Sequence, residues 1–207
     1  MVARKRGKRS SVSQALFMPL SVLDLEVEHQ NKRDIQRIKE VHLAFSASSF
    51  QLDPVKNVLA LFLSEVLFRV VKDTQPDERM YAFLTDSVRI LDSVEQGLAN
   101  FHVAFLLNLL HYLGIFPNVE HPRDALYFDM LNGIFVCQQP THPYYLQPAE
   151  TVVFQRLLKM SYENMSLYAF SRQDRVRILH RIFEYYQLHL PDFKEIRSLQ
   201  ILQSLFD

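Results

Sequence analysis

The stretch DPVKNVLALFLSEVLFRV, Asp53 to Val70, decides the fold class. Asp53 is a good N-cap, and Pro54 suits the first helical position, where its missing N–H costs nothing. Val55, Val58, Leu59, Phe62, Leu63, Val66, Leu67 and Val70 recur at helical spacing, and Leu61 and Val71 widen the apolar surface. Such a helix is expected to be buried on most of its sides, which requires other helices around it. They are present on the C-terminal side. A second helix begins after Pro76, with Met80, Phe83, Leu84, Val88 and Leu91 on its apolar stripe. The spacing predicts a third from about Glu95 to Leu113, stopped by Gly114 with Pro117 beyond. Further helices are expected over Thr151 to Met160, from the N-cap Ser171 to about Leu188, and after Pro191 through Leu199, Ile201, Leu202 and Phe206.

On the N-terminal side the period changes from 3.6 to 2. Leu16, Met18 and Leu20 alternate, as do Leu23, Leu25 and Val27 against Val22, Asp24 and Glu26, so both runs read as half-buried strands. Asn31 to Asp34 is a polar turn; Ile35, Ile38 and Val41 fit either a strand or a helical turn. Three strands with two open edges do not make a stable sheet alone, so this piece is incomplete or needs the helices as cover. Between the third and fourth helices lies an irregular stretch, Phe116 to Pro148, rich in Pro and His. Within it, Tyr127-Phe128 and Ile134-Phe135-Val136 flank Asn132-Gly133, a strong hairpin signal. The expected architecture is mainly α with a small β portion: a sheet over residues 1–47, and a helical domain over 48–207 carrying a hairpin insertion at about 116–148.

Composition agrees. The 207 residues are 48% hydrophobic with only 4 Gly, enough apolar material for a sizeable core and few turn formers. The single cysteine, Cys137, excludes an intramolecular disulfide and fits a reducing cytosol. No secretory signal is expected, because the basic start runs into Ser11, Val12 and Ser13. No membrane association is expected either: the longest apolar run, Phe101 to Leu113, is interrupted by His102, Asn108 and His111.

Charge is the functional signal. Arg4, Lys5, Arg6, Lys8 and Arg9 open a chain of net charge zero, and no acid precedes Asp24. Between Phe50 and Glu150 there are six Lys/Arg against twelve Asp/Glu, and from Thr151 to Asp207 eight against six. Clustered cations call for an anionic partner, and nucleic acid needs only Lys and Arg density to release counterions. The bland alternative is a solvated tail. A second concentration, Arg172, Arg175, Arg177 and Arg181, lies on the helix from Ser171. There Arg177 and Arg181 share a face, and Arg175 leans toward Leu179, Ile182 and Tyr186. An arginine beside an apolar groove suits a peptide carboxylate next to a hydrophobic side chain; the alternative is a solvated face screened by Asp174 and Glu184.

Catalytic and metal chemistry find little support. There is no Gly-rich phosphate loop, no nucleophile elbow and no His-Glu-x-x-His helix. His102 and His111 are more than two helical turns apart, and Glu65, Asp86 and Asp92 stand singly among apolar residues. Cys137, His121 and His142 fall in the irregular region but fall short of the four ligands of structural zinc, so no metal and no cofactor are expected.

Taken in order, these segments resemble RecO, the bacterial recombination mediator. The basic loop leading into Leu16–Phe17–Met18–Pro19–Leu20 and Leu23–Asp24–Leu25–Glu26–Val27 resembles the end of that family's N-terminal oligonucleotide-binding (OB) barrel. Ala60 to Leu67 looks like its first long helix, and Ala99-Asn100-Phe101-His102 through Leu113-Gly114-Ile115-Phe116-Pro117 like its central one. Tyr185 to Pro191 and Ile196 to Leu199 resemble the C-terminus of RecO from Bacteroides-like bacteria. The likeness implies a non-enzymatic cytoplasmic, nucleoid-associated protein that binds single- and double-stranded DNA. It also implies strand annealing in DNA recombination after DNA damage, and recombinase loading with RecR and single-strand-binding protein. DNA contacts are then expected at Arg4, Lys5, Arg6, Lys8 and Arg9. Contacts to the tail of single-strand-binding protein are expected at Arg175, Arg177, Arg181, Tyr186 and Leu199. Two departures stand out. The barrel's first strands are not in this chain, and where many relatives carry a four-cysteine zinc element, Cys137 is followed three residues on by Pro140. The competing class is a helical protein–protein adaptor whose basic start is only a tail.

Overall fold

A computed structural model describes residues 14–71, 75–120 and 124–205. It begins with a 3-10 turn, Gln14–Leu16, and an antiparallel hairpin of β1 (Val22–Glu28) and β2 (Arg37–Phe45). The alternation at Leu16, Met18 and Leu20 is therefore a turn and not a strand. Ser21 N–H donates to Met18 O at 3.0 Å, and Leu20 adopts a positive φ of 58°. Pro19 accounts for the difference, because it has no N–H to give a ladder. The unusual Leu20 conformation is held by its own N–H, which donates to Ser64 Oγ at 3.1 Å. Two strands thus stand, among the described residues, where the alternation predicts three.

Two helices follow in quick succession, the short α1 (Ser49–Leu52) and the long α2 (Pro54–Val70). The Asp53 carboxylate accepts the N–H groups of Val55 and Lys56 at 2.8 and 3.3 Å, the cap that its position predicts. Next come α3 (Glu78–Ser93) and α4 (Phe101–Tyr112). The third helix starts six residues later than its periodicity implies. Gly97 takes φ 77° and a 3-10 turn, Leu98–Asn100, intervenes. A small sheet of order β4-β3-β5 is built from β3 (Tyr127–Asp129), β4 (Ile134–Val136) and β5 (Tyr145–Leu146). Then follow α5 (Pro148–Leu157), α6 (Arg172–His189) and α7 (Ser198–Leu205). Helix α5 begins at Pro148, earlier than Thr151, because Glu150 reaches back to accept the Gln147 N–H at 3.2 Å. Among these helices none is long and apolar enough to cross a membrane.

Helix α4 is the axis of the core. Phe101 to Leu107, Leu109 and Leu110 are all buried, and only Asn108 among the first ten residues is partly exposed. Helices α3 and α6 pack on it directly, α7 lies along α2, and Phe62 of α2 reaches both Phe183 and His102. Burying one such Leu or Phe is worth roughly 1.5–3 kcal/mol, so this helix carries a large share of the apolar driving force. Several polar groups taken into this core find partners, although Asn100 Oδ1 accepts no hydrogen bond among the described residues. Tyr186 is fully buried and donates its hydroxyl to Leu106 O at 2.8 Å. Asn100 Nδ2 donates to Met165 O and Tyr168 O at 2.9 and 2.8 Å. Glu65, a lone acid in the sequence of α2, caps the start of α7 by accepting from Arg197 N, Ser198 N and Ser198 Oγ at 3.0, 2.8 and 2.6 Å.

The insertion is tied by a carboxylate. Asp129 Oδ1 accepts the N–H groups of Leu131 and Asn132 at 3.0 Å each, and Oδ2 accepts from Asn132 Nδ2 at 2.8 Å and His142 Nε2 at 3.2 Å. His142 Nδ1 accepts from Tyr144 N–H at 3.2 Å, so the ring proton sits on Nε2. Burial opposes the charge of Asp129, but bonds from Asn132 and His142 outweigh it and hold the carboxyl below its ordinary value. Asn132-Gly133 is a turn, as the dipeptide predicts, with Gly133 at φ 66°. A side chain there would also meet the Tyr185 hydroxyl, 2.8 Å from a Cβ placed at Gly133. Phe128 packs on Phe135 at 4.8 Å and on Phe154 at 4.7 Å, seating the sheet on α5.

Two outcomes follow for stability. Replacing Asp129 by Ala should cost about 2–3 kcal/mol in denaturant unfolding, the loss of a multiply bonded buried carboxylate. Exchange protection should fall first at Met130 to Tyr144. The second concerns His102, which burial, together with the Arg175 charge, pushes down to about 3. Its neutral form is the folded one, so stability is fully present above the unfolded value near 6.5 and is lost as pH falls toward 3. Each pH unit in that window should cost up to about 1.4 kcal/mol, and His102→Leu should blunt that part of the thermal-melting pH profile.

Candidate nucleic-acid interface

The strongest cationic run, Arg4, Lys5, Arg6, Lys8 and Arg9, lies outside the described residues, and so does His121. The β1–β2 hairpin follows that run in the sequence. Its register sets Leu23 opposite Leu43, Leu25 opposite Val41 and Val27 opposite Ile38, with irregularities after Val22 and Glu26. One face is therefore apolar, yet Leu25, Val27 and Leu43 are 41%, 42% and 46% exposed. The other face sets Asp24 opposite His42 and Glu26 opposite Glu40, with Lys39 Nζ 3.3 Å from Glu26 Oε1. Among the described residues the hairpin is anchored at its root: Leu20, Val22, Phe45 and Ala47 pack on the helical core, and the Arg89 guanidinium lies 5.8 Å from the Phe45 ring centroid. A two-stranded ribbon with a bare apolar face is marginal in water, so this element is shaped to be covered.

The arginines of α6 have separate uses. Ser171 opens the helix as expected, accepting Asp174 N–H at 3.1 Å while the Asp174 carboxylate accepts Ser171 N–H at 3.2 Å. Arg177 is largely exposed and pairs with Asp174 at 3.0 Å. Arg175 is half-buried and donates Nη1 to Phe170 O at 2.7 Å. Arg181 is held by two carboxylates. It donates Nε and Nη2 to Glu150 at 2.8 and 3.2 Å and Nη1 to Glu184 at 2.8 Å, which fastens α6 to the start of α5. The expected groove of Tyr186, Leu199 and three arginines is not what these residues build. Tyr186 is a core residue, because its hydroxyl is consumed by Leu106 O, and Leu199 is half-buried against the core.

Cys137 and His142 are likewise drawn to different partners: the thiol donates to Asp124 Oδ1 at 3.3 Å, and the imidazole to Asp129. Among the described residues no group of three or more His, Cys, Asp or Glu has a metal-binding arrangement. A shallow cleft of about 480 Å³ lies between α3, α4 and the segment after α5. Phe83 and Tyr112 stack on its wall at 4.4 Å, and its charges are mixed, Arg79 beside Asp86 and Glu163. Half-buried Tyr162 shares a 2.7 Å hydrogen bond with Ser87, and desolvation raises its phenol far above the ordinary range, so it is not a proton-transfer group near neutrality.

Sequence reasoning about α6 passed over Arg156 and Lys159, both exposed on and just after α5. The signal lay in charge counting: Thr151 to Arg181 holds six Lys/Arg and two Asp/Glu, a positive stretch that follows an acidic middle.

Comparison with known proteins places the helical body. The family described as Recombination protein O C terminal matches residues 51–199, from α1 to the start of α7. DNA repair protein RecO of Azobacteroides pseudotrichonymphae is 38% identical over 207 residues, covering 100% of this chain and 86% of that protein. DNA repair protein RecO of Phocaeicola vulgatus is 37% identical over 206 residues, with the same coverage. The Porphyromonas gingivalis protein of that name is 34% identical over 205 residues, covering 98% of this chain and 84% of its own. The apolar central helix, the hairpin-bearing insertion and the arginine-rich α6 all lie within the matched residues, and the chain belongs to the RecO family of DNA repair proteins.

Proposed function

We propose that this chain is a non-enzymatic DNA-binding recombination mediator of the bacterial cytoplasm, associated with the nucleoid. It anneals complementary strands and helps load recombinase together with RecR and single-strand-binding protein. The observation that carries the reading is the uneven charge of a neutral chain. Five cations within residues 4–9 precede a sheet element, while the middle of the molecule is acidic. Such a distribution supports one-sided phosphate neutralisation, the term that dominates sequence-independent binding. The N-terminal domain, 1–47, is of partial OB type, with the β1–β2 hairpin as its described sheet, and 48–207 is the helical domain. Among the described residues of the insertion the turn is organised by Asp129, which takes donors from Leu131, Asn132 and His142.

The tail of single-strand-binding protein docks beside the start of α6, where exposed Arg177 and half-buried Arg175 lie near Phe170. Tyr186 and Arg181 take no part, one being core and the other committed to Glu150 and Glu184. A helical adaptor with a merely solvated arm remains the competing class, and salt dependence separates the two.

Replacing Arg4, Lys5, Arg6, Lys8 and Arg9 by Ala should weaken DNA binding about equally across sequences. It should also flatten the log–log salt slope by about 3.5 for single strands, at about 0.7 per phosphate contact. Unchanged affinity and slope would leave the adaptor reading standing. For the tail, Arg177→Glu should weaken a labelled peptide by roughly 1–3 kcal/mol, the range for a charge-assisted contact, with naked-DNA affinity nearly intact. Equal peptide affinities for wild type and variant would reduce Arg177 to a solvated partner of Asp174.

A further inference from the structure

Leu167 is 82% exposed, among the highest values for a large apolar side chain in this protein. It does not sit on a loose loop. It lies in a 3-10 turn, Met165–Leu167, braced from several sides. Asn100 Nδ2 donates to Met165 O and Tyr168 O, and Tyr168 Oη donates to Arg156 O at 3.0 Å. Asn164 Oδ1 accepts Ser161 N–H at 2.8 Å, and its Nδ2 donates to Lys159 O at 2.9 Å. On the inner side the turn presses against Gly97 so closely that a Cβ there would lie 2.9 Å from Ser166 N. A leucine held rigidly in solvent keeps its hydration cost in every state unless a partner covers it.

The side chains beside this turn are cationic. Arg156 and Lys159 are exposed on the strand of backbone to which Tyr168 and Asn164 bond, and exposed Arg172 opens α6 five residues after Leu167. Neither Arg156 nor Lys159 forms an ion pair among the described residues. The acids of the stretch are Glu163, which is exposed, and Asp174, which is tied to Ser171 and Arg177. Local charge is therefore positive in a helical body whose preceding hundred residues are acidic.

We propose that Arg156, Lys159 and Arg172, with Leu167 between them, form a second DNA-binding surface on the helical domain, taking single strands. The cations neutralise successive phosphates, and Leu167 packs on the face of an unstacked base. A single strand is favoured over a closed duplex because only unstacked bases offer a face to an apolar side chain at no cost in stacking. Charge complementarity selects a polyanion, and the rigid apolar knob selects one with exposed ring faces. The proposal rests on the reading that the chain binds DNA, but it names a site separate from the N-terminal arm.

The test uses the full chain and a fluorescent 30-nucleotide single strand, titrated across salt concentrations. The triple variant R156Q/K159Q/R172Q should flatten the log–log salt slope by about 2, at roughly 0.7 per lost phosphate contact. Leu167→Ala should lower single-strand affinity severalfold and leave the slope unchanged, with little effect on a blunt duplex of equal length. All four side chains are exposed, and unchanged circular dichroism and thermal midpoints will establish that the variants fold. If neither variant alters binding, the surface is not a DNA site, and an acidic protein surface is then the fitting partner for it. The two sites are separable. Loss of binding confined to the arm variant overturns this proposal alone, whereas loss confined to the patch variants supports it and overturns the role of the arm.

Discussion

The structure depends on the burial of α4 on every side. A helix whose first turns run Phe-His-Val-Ala-Phe-Leu-Leu has no solvent face to offer, so its neighbours must surround it. Helix α3 supplies Phe83, which stacks on Phe105 at 5.4 Å; α2 supplies Phe62, and α6 supplies Tyr186 with its hydroxyl on Leu106 O. That enclosure has a chemical consequence for His102. In water an imidazole is readily protonated, but here its charged form has no solvation, and the Arg175 charge adds to the penalty. The same enclosure explains why Asn100 must be satisfied by the turn around Met165: a buried amide left unbonded would cost more than the ordering of that turn.

Around this core the chain uses carboxylates as fasteners. Asp53 caps α2 from its own sequence, Glu65 of α2 caps α7, and Asp92 of α3 accepts the Ser49 N–H at the start of α1 at 2.9 Å. Burial alone would raise the Glu65 pKa, yet the donors of Ser198 and Arg197 and the nearby Arg69 charge bring it below its usual value. Asp129 does for the insertion what a structural metal does for other small β elements: one anionic centre gathers donors from both sides of a turn. The difference is that a carboxylate accepts directed N–H groups from its immediate neighbourhood. The outer reaches of the insertion therefore depend on Phe128, Phe135 and Leu146 packing inward.

The arginines divide along the same lines. Where a carboxylate lies opposite, as Glu150 and Glu184 do for Arg181, the guanidinium becomes an internal clamp and its charge is spent within the fold. Where none does among the described residues, as for Arg156 and Lys159, the charge is displayed to solvent. The family model matches the helical body, residues 51–199, which includes Arg156 and Lys159, and the similar RecO proteins align over the whole chain. This arrangement lets one rigid scaffold present cations without disturbing its core, because exposed charges cost little desolvation.

The helical class, the Asp53 and Ser171 caps, the Asn132-Gly133 turn and the family likeness were legible in the sequence, because each depends on residues within one or two turns of each other. The apolar period of α2 and α3 needed no partner to be recognised. What tertiary structure decided was every relation across the chain. Tyr186 reads as a groove residue on a helical wheel, but α4 lies against that side, so it is core. Arg181 reads as a free cation until Glu150, 31 residues earlier, is brought opposite. Glu65 reads as a solitary acid until α7 arrives 133 residues later with unpaired N–H groups. The alternation over Val22 to Val27 is a strand, but that of Leu16, Met18 and Leu20 is not, for a local reason that period-two reading ignores: Pro19 withholds a ladder donor, and Ser64 of α2 secures the bent Leu20. Short-range periodicity specifies which residues want burial, and only the packed chain specifies against what.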